Sequence, residues 1–236
     1  MSGPVVRIGS TGPFVEELQR LLNTRLSPSP NLDPDGQFGS HTRSTVLRFQ
    51  AQNWLVEDGE AGDATFNVLR NMEAYADLHR IHLVMQPTRT SCWAASTAML
   101  LGQPHPVDAP DFMKFPDGSL RNDSELDNPL ITTQYAAHFH LRIFPPMSWQ
   151  PSALAGILHA GAVMVNVLWN SASYAGGHGS SGHMVVFAGI RGDGSADATT
   201  IRVYDPWPPG SGAIYSVSYG RLMRNVPAAT YQLYQR

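Results

Sequence analysis

The chain has 236 residues, 42 % of them apolar and 15 % charged, which is enough apolar material to bury substantial cores and argues against disorder. A formal net charge of −3 and a pI near 6.3 leave no basic footprint for nucleic acid, and no charge run suggests a membrane patch. Among the sixteen basic residues only Lys114 is lysine, a compositional bias and not an arginine-rich binding site.

The N-terminus, Met1-Ser2-Gly3-Pro4-Val5-Val6-Arg7, lacks the charged and apolar regions of a secretory signal, and no later stretch is long enough to span a bilayer. The expectation is a product made in the cytoplasm without a signal peptide. A single cysteine, Cys92, cannot form an internal disulfide.

Residues 14–22 predict a helix with Phe14, Val15, Leu18, Leu21 and Leu22 on one face, and residues 40–53 a second with Val46, Leu47 and Phe49. A third, short helix is expected over 64–69. Between them stand two Asp-Gly turns, Asp35-Gly36 and Asp58-Gly59, each followed by a Gly and a Ser or Thr near the next helix start. The two copies form a half-repeat, too few for a solenoid.

Gly12, Val15, Leu18-Gln19, Leu22, Asp35-Gly36, Phe38-Gly39, Thr42, Val46, Phe49-Gln50, Asp58-Gly59, Gly62, Thr65 and Leu69 together resemble the small helical peptidoglycan-binding domain appended to many bacterial cell-wall hydrolases. The resemblance covers nearly all of residues 4–71. It implies a three-helix domain over residues 1–75 whose matching positions mostly build the fold. Trp54 departs from it, since the family commonly has glycine there. An aromatic at that position either packs against the core or stacks on a sugar.

Residues 71–84 contain no Gly or Pro and are expected to extend a helix into the second domain, residues 76–236. Cys92 follows, in Gln86-Pro87-Thr88-Arg89-Thr90-Ser91-Cys92-Trp93-Ala94, where polar residues run directly into a small-residue and apolar helical pattern. A thiolate at a helix N-terminus is stabilised by the positive end of the helix and by its unsatisfied N–H groups. Those groups also serve a developing oxyanion, as does a side-chain amide at Gln86 returning toward the sulfur. The bland alternative is a buried structural cysteine.

Farther along, residues 108–118 read as an exposed loop, residues 151–160 as a helix and residues 161–169 as a buried strand. The glycine-rich stretch 176–182 leads into His183, which starts an apolar strand ending at Gly189. Gly192-Asp193-Gly194-Ser195 is a hairpin turn. Ile201-Arg202-Val203-Tyr204-Asp205 is a short apolar strand delivering an acid at its end.

A glutamine, a five-residue loop, Cys-Trp opening a helix, then a histidine and an acid in that order resemble papain-like cysteine peptidases. The resemblance implies an α+β domain with an antiparallel sheet, Cys92 as nucleophile, His183 as proton shuttle, Asp205 as the orienting group and Gln86 with the Cys92 N–H as oxyanion donors. Plant papains have asparagine where Asp205 stands; a carboxylate performs the same orienting role. His178 is a rival base, set among glycines, whereas His183 has a strand for a mount. The pairs His138/His140 and His178/His183 raise the idea of a metal, but no His-Glu-x-x-His or paired Cys-x-x-Cys signature accompanies them. No metal or cofactor is expected.

The combined expectation is a cysteine hydrolase that cleaves amide bonds, anchored by a wall-binding module, with peptidoglycan stem peptides as substrate. Secretion or delivery by an injection apparatus, action in the periplasm or a target cell, and a cognate immunity protein follow by analogy with such domain pairs. Three alternatives stay open: a protease acting on target proteins, a non-enzymatic wall-binding protein, and acyl transfer to an amine.

Overall fold

A computed structural model describes residues 3–121, 129–167, 182–224 and 231–236. Three helices open the chain, α1 (Pro13–Arg25), α2 (Ser40–Gln52) and α3 (Asp63–Arg70). Each is preceded by a glycine at its N-cap, Gly12, Gly39 and Gly62. Their apolar faces meet in one core that includes Val15, Leu18, Leu22, Val46, Phe49 and Leu69. Both α1 and α3 run beyond the periodic apolar stretch, as expected when the last turn holds polar residues that still complete backbone bonds.

The half-repeat is reproduced atom for atom. Gln19, 2 % exposed, donates through Nε2 to Asp35 Oδ1 (2.9 Å), the Gln37 carbonyl (3.1 Å) and Thr42 Oγ1 (3.4 Å), and its Oε1 accepts from Gly36 N–H (3.0 Å). Gln50, 1 % exposed, donates to Asp58 Oδ1 (2.8 Å), the Glu60 carbonyl (2.8 Å) and Thr65 Oγ1 (3.3 Å), and accepts from Gly59 N–H (2.9 Å). In each copy a buried glutamine from one helix ties down the turn that leads into the next. The turns need glycine because Gly36 and Gly59 sit at φ 70° and 74°, where a Cβ is disfavoured. The Asp35 carboxyl is held below its usual range by the Gln19 amide and the Gln37 N–H.

After α3 the chain departs from the expected helix. Asn71 takes a left-handed conformation (φ 55°) and caps α3, and residues 75–78 form a strand, β1 (Tyr75–Leu78), that pairs with the later strand β4 (His183–Gly192). The absence of Gly and Pro permitted a helix, but pairing with the sheet won.

The chain forms two compact units, one of Met1–Ala76, Ile190–Ile201 and Ser216–Arg221, the other of Asp77–Gly189, Arg202–Tyr215 and Leu222–Arg236. In the first, Arg191 (side chain 8 % exposed) makes a bidentate pair with Glu73 (14 %), both bonds at 2.6 Å. It also donates to the Asn53 carbonyl and lies 4.7 Å over the Trp54 ring. Trp54 has φ 45°, a left-handed conformation that suits glycine and is strained for a bulky side chain. Its ring serves as a platform for the Arg191 guanidinium, and its carbonyl accepts from Ser216 Oγ (2.7 Å).

The second unit carries α4 (Cys92–Leu101), α5 (Pro129–Phe139), β2 (Arg142–Met147), α6 (Pro151–Ala160) and β3 (Val163–Val167). β4 (His183–Gly192), β5 (Thr200–Asp205), β6 (Ala213–Ser218), α7 (Tyr219–Arg224) and β7 (Tyr231–Gln235) complete the described elements. The sheet order is β2-β7-β3-β4-β5-β6, with β1 also on β4. The β2–β7, β7–β3 and β3–β4 pairings are antiparallel, and Val167 lies opposite His183. The β2–β7 register slips between Phe144 and Met147, where Pro145 and Pro146 offer no N–H to the ladder on an edge strand. The fold is α+β. The stretch 108–118, expected as a plain loop, contains a single 3-10 turn (Asp111–Met113) whose Met113 is fully buried.

Gln19→Ala and Gln50→Ala each strand a buried N–H and a carboxylate, so each is expected to lower unfolding free energy in urea by about 1–3 kcal/mol. Glu73→Ala leaves the Arg191 guanidinium buried without its counter-charge. Its expected loss in the same titration is larger, about 3–5 kcal/mol.

Candidate active site

Every residue of α4 from 92 to 99 is buried. A helix apolar on all sides has no solvent face and sits within the core; here its neighbours include Tyr135 and Phe139 of α5, Met164 of β3, Met184 of β4 and Tyr234 of β7. Its buried polar groups all find partners. Ser96 Oγ donates to the Met184 carbonyl (3.0 Å), Thr97 Oγ1 meets the Tyr135 hydroxyl and the Met164 sulfur (3.7 Å), and Tyr135 donates to the Trp93 carbonyl (3.3 Å). Trp93 Nε1 donates to the Arg121 carbonyl (3.1 Å). Burial of the Tyr135 phenol pushes its pKa well up, so it stays a neutral donor.

The Ser96 bond ties the helix that Cys92 opens to the strand that His183 opens. Residues four apart lie on one helix face, so Cys92 sits one turn before Ser96, on the face that meets Met184. Met184 is the residue after His183. Cys92 itself is 2 % exposed, and the N-cap Ser91 makes no side-chain hydrogen bond to the helix. Its hydroxyl turns back instead to Thr88, bonding the Thr88 N–H (3.0 Å), hydroxyl (2.8 Å) and carbonyl (3.2 Å). The serine that ordinarily occupies the first N–H groups of a helix thus organises the preceding loop.

His183 and Asp205 meet directly. His183 Nε2 and Asp205 Oδ1 are 2.7 Å apart, both residues 5 % exposed. The carboxylate also accepts the Trp207 N–H at Oδ1 (2.8 Å) and the Tyr215 hydroxyl at Oδ2 (3.3 Å). With Nε2 engaged by the acid, Nδ1 is the ring nitrogen on the opposite side.

Gln86 is held by its backbone beside the same acid: its N–H donates to the Pro206 carbonyl (3.1 Å), and its carbonyl accepts from Gly210 (3.2 Å). The side chain is 1 % exposed, and Nε2 donates to the Thr88 carbonyl (2.6 Å). That uses one of two amide hydrogens. Oε1 has no hydrogen-bond partner among the described residues.

The structure therefore brings His183 and Asp205 into contact, with Gln86 next to the strand end that carries the acid. His178 and the 176–181 stretch lie outside the described residues. His138 packs edge-on against Phe112 and Phe139. Among the described residues no cluster of three His, Cys, Asp or Glu could hold a metal ion. Sequence reasoning missed Tyr215 and the Trp207 N–H; a Tyr in a strand following an acid-bearing strand was the only signal, and it is a weak one.

Residues 75–219 match the family described as papain-like cysteine protease AvrRpt2, more than half of the chain. The chain belongs to this family. The chain also matches, over residues 11–69, the family of peptidoglycan binding domains. It is 37 % identical over 81 residues to a zinc D-Ala-D-Ala carboxypeptidase of Streptomyces albus G, covering 30 % of the chain and 32 % of that protein. The chain thus spans about a third of that relative's length. Among solved structures, a Burkholderia AP3 phage endolysin shows 40 % identity with a TM-score of 0.26, over 29 % of the chain and 25 % of the endolysin. The SleB N-terminal domain shows 32 % identity with a TM-score of 0.28, over 30 % and 96 % of the respective chains.

The buried His183–Asp205 bond is expected to give a downfield, slowly exchanging imidazole N–H resonance in proton NMR. Asp205→Ala should abolish it, and Asp205→Asn, which keeps an acceptor, should retain a weakened one.

Proposed function

We propose that the protein cleaves amide bonds in the peptide stems of peptidoglycan. The observation that carries the chemistry is the buried His183–Asp205 pair (2.7 Å), one residue from the carbonyl that anchors the Cys92 helix through Ser96. His183 Nδ1 takes the Cys92 proton, and the sulfur attacks the scissile carbonyl to form a tetrahedral adduct. Asp205 holds Nε2–H and stabilises the imidazolium. The Cys92 N–H and the second hydrogen of the Gln86 amide donate to the oxyanion. The imidazolium then protonates the leaving amine as the C–N bond breaks, and water hydrolyses the thioester.

The peptidoglycan binding domain supports the choice of substrate, because tethering raises the local concentration of catalyst at the wall. An antibacterial toxin, delivered by an injection apparatus and neutralised by an immunity protein, is the setting this domain pairing suits. The match to a cysteine protease family over residues 75–219 favours a second substrate class, target proteins.

Purified sacculi incubated with the wild type should release cleaved stem peptides visible by mass spectrometry of muropeptides. Cys92→Ala should release none while still pelleting with sacculi, since only the thiol is lost. Intact muropeptides together with casein hydrolysis would move the substrate to proteins.

A further inference from the structure

We propose that Tyr215 is a positioning residue for the thiol chemistry, acting through Asp205; this rests on the role given to Asp205 above. Among the described residues, Asp205 receives three hydrogen bonds. His183 Nε2 (2.7 Å) and the Trp207 N–H (2.8 Å) share Oδ1, while Oδ2 receives the Tyr215 hydroxyl (3.3 Å). A carboxylate can present either oxygen to its partner by turning about its last side-chain bond, a soft torsion. Donors on both oxygens stop that rotation, because turning the group breaks bonds on each side. Asp205 is 5 % exposed, so little water is at hand to replace a lost donor.

The chemistry makes this matter at one moment. When His183 takes the thiol proton, both partners of its bond to Oδ1 are charged, and the bond strengthens further only if its geometry is kept. Tyr215 keeps it by fixing Oδ2. A phenol suits this role, because burial and then the negative charge of Asp205 push its pKa well up, so it remains protonated and donates through the neutral range. Tyr215 is partly buried, 41 % exposed as a whole residue, so its ring contributes less to the core than a fully buried aromatic would. The hydroxyl is the part the site uses.

Because Cys92 is the only cysteine, its alkylation by iodoacetamide reports the thiol–imidazole pair by intact mass, independently of any substrate. Tyr215→Phe removes one oxygen and is expected to slow alkylation at pH 6 about three- to tenfold, with the thermal midpoint unchanged. Asp205→Ala should slow it more, and the double variant no further than Asp205→Ala, since groups acting through one another are not additive. A wild-type rate in Tyr215→Phe, or a full additional drop in the double variant, would overturn the assignment of Tyr215 alone. A wild-type rate in Asp205→Ala would remove the role of Asp205 and that of Tyr215 with it.

Discussion

A helix buried along its whole first two turns cannot offer its N-terminus to a substrate unless something fixes its depth and rotation. In α4 that is done by hydroxyls. Ser96 reaches the Met184 carbonyl, and Thr97 and the Trp93 carbonyl meet Tyr135 of α5. Each bond satisfies a polar group that would otherwise be stranded in the core, and each also selects one rotation of the helix. The placement of Cys92 relative to β4 follows from these contacts. A core of alanine and leucine alone would pack such a helix with less regard for its angle.

The site also shows side chains committed to scaffolding where a simpler scheme would have them capping or donating. Ser91 folds back onto Thr88 instead of capping α4 with its side chain. Gln86 is anchored through its backbone to the Pro206 carbonyl and through one amide hydrogen to Thr88. Its second amide hydrogen therefore starts from a fixed position, which is what the oxyanion role proposed for it requires.

The helical unit applies the same economy twice. A buried glutamine, an Asp-Gly turn and a threonine form one hydrogen-bonded device around Gln19 and again around Gln50. The unit also takes in Ile190–Ile201 and Ser216–Arg221, with the Arg191–Glu73 pair and Trp54 among its contacts. At Trp54 the backbone takes a glycine-like φ and the ring has a cation to stack against.

Much of this was legible in the chain itself. Apolar spacing and Asp-Gly turns located the three helices, because helix periodicity and turn chemistry are local. Cys-Trp at the head of a small-residue run, a histidine opening an apolar strand and an acid closing another marked the candidate site for similar reasons. Residues 71–84 misled because a stretch without breakers is compatible with helix or strand, and only the β4 edge decided for β1. Tyr215 on Oδ2, Arg191 with Glu73, and the Gln86 amide on Thr88 depend on how side chains and loops are finally disposed. Arg191 and Glu73 stand 118 residues apart in the chain, whereas Tyr215 and Asp205 are ten apart and Gln86 and Thr88 two; none of these contacts follows a helix or strand period, so each became definite only when the chain had folded.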